Sequence, residues 1–201
     1  MPSSKTRDGD SALMMAGHTN VVVELVKAGA KLELQNNDGD TAAIMAVERY
    51  EPATLRELVR AGSDLNLQNQ EGLTPLMIAV RSGRTDITNI LLEGEHVNLD
   101  IQEKSTGWSA LHFSAERGDS ATTEALLKAG ANPHVKDKNG LTALEIAQVK
   151  VTKTVAPDWG SDPADEEQPC YEAVISLLRE HIGEGSTTLS SHHVSVQNEI
   201  I

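Results

Sequence analysis

Apolar residues along the chain fall into two short beats separated by polar, glycine-marked breaks, and the double beat returns. The first beat reads Ser11-Ala-Leu-Met-Met-Ala, Thr41-Ala-Ala-Ile-Met-Ala, Thr74-Pro-Leu-Met-Ile-Ala, Ser109-Ala-Leu-His-Phe-Ser and Thr142-Ala-Leu-Glu-Ile-Ala. Successive starts lie 30, 33, 35 and 33 residues apart. The second beat is an aliphatic pair, Leu25-Val26, Leu58-Val59, Leu91-Leu92 and Leu126-Leu127, trailed by Ala-Gly at 28–29, 61–62 and 129–130. A glycine stands two residues before each first beat, at 9, 39, 72, 107 and 140. Self-similarity at such a period marks a stacked repeat, so each copy is read as helix, turn, helix and projecting hairpin.

Each element has a mechanical reason. The hydroxyl that opens the first beat can accept a backbone N–H and cap a helix, and Pro75 sits where a missing N–H costs nothing. Ala16, Ala46, Ala79 and Ala115 let two short helices approach closely. The aliphatic pair is the inner stripe of the second helix, and Gly29, Gly62 and Gly130 supply the left-handed residue that ends it. Asp38-Gly39 and Asn139-Gly140 mark tight turns.

This pattern resembles the ankyrin repeat family over about residues 8–182. The resemblance implies an all-α fold, an α-solenoid of about five helix-turn-helix-hairpin repeats. Only Ser109-Ala110-Leu111-His112 keeps the family's histidine, whose ring in that family ties neighbouring turns together; Met14, Ile44, Met77 and Glu145 stand there in the other copies. The copies are placed at about 8–37, 38–70, 71–103, 104–138 and 139–182, behind an N-terminal arm at 1–7 expected to be disordered. Repeat three is expected to lack one residue after Leu92, at Glu93–His96, and to gain three before Ser109, so its tip at Gln102–Thr106 should bulge. Repeat one lacks three residues after Ala16, nearly a full helical turn. Repeat five carries an insertion at 152–169 with three prolines and five acids, read as a loop. Tyr171–Ile182 resumes its second helix, and 183–201 reads as a disordered tail.

Composition narrows the function. The 201 residues carry 30 acidic and 17 basic side chains, a formal charge of −13, which argues against nucleic acid and anionic membrane surfaces as partners. Aromatics number five (Tyr50, Trp108, Phe113, Trp159 and Tyr171), so the core is thin layers of Leu, Val, Ile and Ala. One cysteine, Cys170, excludes an internal disulfide and a cysteine-built zinc site. No run approaches the roughly 18 apolar residues of a membrane span, and the chain reads as cytoplasmic or nuclear.

Catalytic signatures are not found. Gly183-Glu-Gly185 lacks the third glycine of a phosphate loop, and the acids at Asp38 and Asp40 fail as a calcium loop because Leu34 and Met45 occupy ligand positions. Cys170, at a helix start, is expected to be a half-buried small residue, and His192-His193 a solvated pair. Asn66 has the hairpin context that an asparagine hydroxylase recognises in the family, but is expected to stabilise its own turn. Glu199-Ile200-Ile201 has the form of some strand-addition ligands. No catalytic residue, cofactor or metal is expected, so the chain is not read as an enzyme.

The resemblance implies a groove formed by the hairpin tips and the exposed side of the first helices. Aligning the copies places Met45, Glu48 and Arg49, then Ile78 and Arg81, then Phe113, Glu116 and Arg117 on that side, with Leu73, Trp108 and Leu141 ending the hairpins. Core constraints do not require a tryptophan at 108, and Trp and Arg are enriched in binding hot spots; alternatively, Trp108 packs against its own hairpin. Arg49, Arg81 and Arg117 suggest a mixed-charge surface, or pair with Glu48 and Glu116. The chain is therefore expected to be a monomeric, non-catalytic adaptor that binds a protein partner in this groove. The alternative is a soluble inhibitor or regulatory subunit of an enzyme such as a kinase or phosphatase.

Overall fold

The computed structural model describes residue 6, residues 8–154 and residues 170–183. The arm over 1–5, most of the insertion and the tail beyond 183 lie outside the described residues, with Trp159, His192, His193 and the last three residues. Among the described residues there is no β-strand, and the helices run α1 Thr19–Lys27, α2 Ala42–Glu48, α3 Pro52–Arg60, α4 Pro75–Arg81, α5 Thr85–Leu92, α6 Ala110–Arg117, α7 Ser120–Lys128, α8 Ala143–Thr154 and α9 Tyr171–Ile182. Residues 152–154, expected in the loop, continue α8.

Two helical layers result. Helices α2, α4, α6 and α8 pack in one row, α1, α3, α5, α7 and α9 in the other, and each first helix packs on the second helix of its own repeat. The hydroxyls cap as the pattern predicts: Thr41 Oγ accepts from the Ile44 N–H at 3.2 Å and Thr74 Oγ from Met77 at 3.3 Å, each such cap being worth about 1 kcal/mol. Ala46, Ala79 and Ala115 are buried between the rows, as are Leu58, Leu91 and Leu126 on the second helices. Burying such a leucine contributes about 1.5–3 kcal/mol.

Repeat one is the exception. Residues 12–15 form a turn where the other repeats place a helix, so α1 has no first helix to pack on and Leu25 is only half-buried. Val21 is 47% exposed, whereas Thr54, Ile87 and Thr122 at the same position of later repeats are covered by the preceding repeat.

Consecutive hairpins are tied by hydrogen bonds that repeat. Backbone N–H groups of Asn37, Gln70, Lys104 and Lys138 donate to carbonyls of Asp8, Asp38, Glu71 and Thr106 in the preceding hairpin. A glutamine bridges each of the last three junctions in the other sense: Gln35 Nε2 donates to the carbonyls of Gly39 (2.7 Å) and Gln68 (2.9 Å), Gln68 to Gly72 and Gln102, and Gln102 to Gly107 and Lys136. The turn glycines permit this approach. Gly39 and Gly72 have φ of 79° and 85°, and a Cβ there would stand 2.8 Å from the Gln70 nitrogen and 2.7 Å from the Lys104 nitrogen. Any side chain would push the hairpins apart.

Repeat three corrects the expected count. Asn98 and Asn132 occupy the place of Asp64, each accepting from the N–H two residues on. The stretch from Leu91 to Leu99 therefore holds one residue more than that from Leu58 to Leu65, and left-handed His96 (φ 59°) absorbs it. The tip gains one residue as well. Asn36, Asn69 and Asp137 brace a turn whose glycine follows three residues later; in repeat three Gly107 follows four after Glu103. The longer glutamate spans the extra residue, its carboxylate accepting from Ser105, Thr106 and Gly107 N–H groups. Asn66 also differs from expectation: its amide donates to the His96 carbonyl (2.9 Å) and accepts from Asn98, stapling the next repeat rather than its own turn.

His112 plays the part the resemblance implies. Its Nδ1 lies 3.1 Å from the Ser109 backbone nitrogen, which can only donate, so Nδ1 accepts and Nε2 carries the proton toward the Leu141 carbonyl at 3.2 Å. Burial pushes its pKa below the usual imidazole value, against the pull of that carbonyl and of Asp137.

Two expectations follow. The unfolded chain takes up a proton at His112 near pH 6.5 while the folded chain does so only at lower pH, so stability falls as pH drops below the unfolded value. Urea midpoints at pH 7.5 and 5.5 measure this, and His112→Leu should flatten the difference; equal midpoints in the parent would contradict it. Amide hydrogen exchange should run well ahead at residues 8–30 of that at 74–130, since a stack loses its weakest end first. Uniform protection would mean that the turn at 12–15 supports α1 as fully as a helix does.

Candidate functional site

Trp108 ends the lengthened hairpin of repeat three, and two contacts hold it. Its Nε1–H donates to Asp137 Oδ2 of the next hairpin at 3.2 Å, and its ring meets Phe113 edge to face, with centroids 5.2 Å apart at 73°. The same junction in earlier repeats uses amide and carboxylate: Asn36 Nδ2 donates to Asp10 and Asn69 Nδ2 to Asp40, at 3.0 and 3.1 Å. Trp108 thus occupies the place of Asp40 with donor and acceptor exchanged, which Asp137 matches by replacing the asparagine. Burial works to raise the Asp137 pKa, but hydrogen bonds from the Leu141 N–H, the Trp108 indole and the Asn139 N–H outweigh it and hold the carboxyl below its ordinary value.

A groove of about 510 Å³ opens between this hairpin and helices α4 and α6. Leu73 floors it, half-buried Trp108 and Phe113 form one wall, and Glu71, Arg81 and Lys104 stand at its rim. Arg81 pairs with Glu71 at 3.6 Å. The groove brings together Leu73, Arg81, Trp108 and Phe113. Glu71 and Lys104 were missed because they sit on hairpin tips, where repeat alignment shows no pattern.

The other aligned residues divide. Met45 is half-buried against the core and Glu48 is exposed. Leu73 and Ile78 are 2% and 3% exposed, so their bulk belongs to the floor and core, not to the exposed face expected of them. Arg49 donates to the Met14 carbonyl at 2.8 Å and Arg117 to the Arg81 carbonyl at 3.2 Å, each reaching back to the end of the preceding first-helix segment. These two arginines thus act as ties between repeats rather than pairing with Glu48 and Glu116. Glu116 instead accepts from Lys150, and its carbonyl takes the Tyr171 hydroxyl at 3.1 Å. Leu141 is half-buried, its carbonyl accepting from His112 and from the Asp137 N–H.

Toward the N-terminal end the surface turns acidic. Neighbouring groups take some of the solvent from Glu48 and raise its pKa, helped by the charge of Asp40, and burial raises that of Asp40 against the Asn69 hydrogen bond, with Asp38, Glu71 and Asp10 adding to the rise. Cys170, expected to be half-buried, is exposed. Among the described residues no group of three or more His, Cys, Asp or Glu is placed to hold a metal ion, and no helix is long and apolar enough to cross a membrane.

Comparison with known proteins agrees with this architecture. A family model described as three copies of ankyrin repeats matches residues 11–101 and 44–137. The chain is 35% identical over 68 residues to the inhibitor of Bruton tyrosine kinase of Xenopus laevis, covering 34% of this chain and 5% of that protein. It is 35% identical over 104 residues to protein HOS4 of Saccharomyces cerevisiae, covering 51% and 9%. The chain thus spans less than a tenth of the length of these curated relatives. Among solved structures, an ankyrin repeat domain from Acinetobacter baumannii superposes with a TM-score of 0.72 at 25% identity, covering 89% of this chain and 85% of that one. With more than half its length matched by the family model and its helices stacked in the family's manner, the chain belongs to the ankyrin repeat family.

Proposed function

We propose that this chain is a monomeric, non-catalytic adaptor of the cytoplasm or nucleus that holds a partner protein in the groove beside Trp108. The observation that carries the reading is the preset tryptophan. A half-exposed indole already fixed by Asp137 and Phe113 gives up little freedom on binding, which is where association otherwise loses much of its gain. Met45, Glu48 and Arg81 extend the surface toward repeat two, and Glu116, Arg117 and Leu141 toward repeat five.

A second reading, an inhibitor or regulatory subunit of an enzyme, draws on the name of the Xenopus laevis relative, an inhibitor of Bruton tyrosine kinase. Catalysis by the chain itself has no support in the groove, whose floor is aliphatic and aromatic and whose rim charges are paired or engaged with carbonyls.

Two alanine variants test the reading. Trp108→Ala should reduce affinity for a captured partner roughly thirtyfold, about 2 kcal/mol, while costing the fold only the indole hydrogen bond and the ring contact. Leu111→Ala, three residues on but buried, should cost about 2–5 kcal/mol of stability and lose binding only by unfolding. Pull-down with mass spectrometry, read beside thermal melts, separates these outcomes. A Trp108→Ala protein that melts as Leu111→Ala does would make the tryptophan purely structural. An enzyme recovered in stoichiometric amount, whose rate changes when the chain is added, would favour the regulatory reading.

A further inference from the structure

The groove differs along its length. At the Trp108 end the floor and wall are apolar, formed by Leu73, Trp108 and Phe113. At the other end Glu71 and Arg81 line it. Beyond them, toward the N-terminal end of the stack, the carboxylates of Asp10, Asp38, Asp40 and Glu48 form an acidic cluster with Glu71, reached by the guanidiniums of Arg49 and Arg81. Both cations are already engaged, Arg49 with the Met14 carbonyl and Arg81 with Glu71. Arg84, the next cation along, is turned to the carbonyls of Val47 and Glu48. The carboxylate of exposed Glu48 makes no hydrogen bond or ion pair among the described residues, and it lies close enough to Glu71 and Arg81 at the groove's rim to feel their charges.

We propose that the groove takes an extended partner segment carrying a Lys or Arg side chain for Glu48 and a bulky apolar side chain for the Trp108–Phe113 wall. The spacing follows from the stack. Glu48 lies on α2 and Phe113 on α6, two packed helices apart through α4. At about 8–10 Å per helix pair that is roughly 16–20 Å, which an extended chain covers in about five to six residues. An acidic segment would meet like charge at Glu48 and Asp38. The inference rests on the reading of the groove as the partner site, and narrows it to a chemistry.

Selection of a random twelve-residue peptide library against the full chain, followed by fluorescence anisotropy of the selected peptides, tests this. The expected peptides place a basic residue about five to six positions from Leu, Met, Phe or Trp. Their affinity should fall about tenfold or more with Trp108→Ala and about three- to fivefold with Glu48→Gln, and added salt should weaken it further. Glu48→Lys should reject them and accept the same peptides with their basic residue changed to Glu. Circular dichroism confirms that each variant is folded; should Glu48→Gln unfold, exposed Asp38→Asn gives the same readout. Peptides that need Trp108 yet ignore the Glu48 variants, or that carry acids in place of the basic residue, overturn the proposed chemistry and leave the groove as the binding site. Peptides indifferent to both positions, or a library that yields none, overturn the groove reading as well.

Discussion

Every repeat in this stack touches only its neighbours, so the whole depends on the junction between consecutive hairpins. There the backbone of one tip donates to the next, and Gln35, Gln68 and Gln102 each join two hairpins through a pair of carbonyls. Each bond contributes only about 0.5–1.5 kcal/mol net. Their effect is geometric: they set the distance between repeats, and the helix rows must fill what that distance leaves. Alanines at 46, 79 and 115 and leucines at 58, 91 and 126 are buried there. Turn glycines at 39 and 72 are required because the neighbouring backbone stands where a Cβ would be.

The groove is a local departure from that regularity. Repeat three lengthens its tip by one residue, and Glu103 replaces the shorter Asn or Asp that braces the other tips. Burial works to raise the Glu103 pKa, but hydrogen bonds from Thr106 and Ser105 hold the carboxyl below its ordinary value, so the brace is ionised and firm. The lengthened tip leads into Trp108, whose indole takes over a junction that elsewhere joins amide to carboxylate. The proposed binding surface is thus made from the same contact that holds the stack together. That is why the indole is ordered before any partner arrives.

Much of this was legible in the residues. The recurring hydroxyl, small residue and aliphatic pair announced capped helices in two rows, and the three residues missing after Ala16 announced a shortened first helix in repeat one, which the structure reduces further to a turn at 12–15. What escaped was contact across repeats. Gln35, Gln68 and Gln102 recur at one position, but a glutamine in a hairpin carries no periodic signal of burial, so its bridging role shows only in three dimensions. Arg49 and Arg117 read as surface charge, since a carbonyl at a helix end has no trace in composition. Ile78 read as exposed because it aligns with Met45 and Phe113, which are only half-buried, whereas Ile78 in the middle of the row is 3% exposed. The insertions of repeat three were seen as a net gain of two residues and misassigned, because Glu103 and left-handed His96 absorb one each.

On this view the hairpin junctions couple the repeats into one cooperative unit. Gln68→Ala, in a background where Trp159→Phe leaves Trp108 as the sole tryptophan, tests it by urea unfolding followed by circular dichroism and by Trp108 fluorescence. The two transitions, coincident before the change, should separate: helicity from repeats one and two is lost at lower urea while the Trp108 signal holds. A single coincident transition with an unchanged midpoint would show that helix packing alone couples the repeats and that the glutamine bridges are incidental.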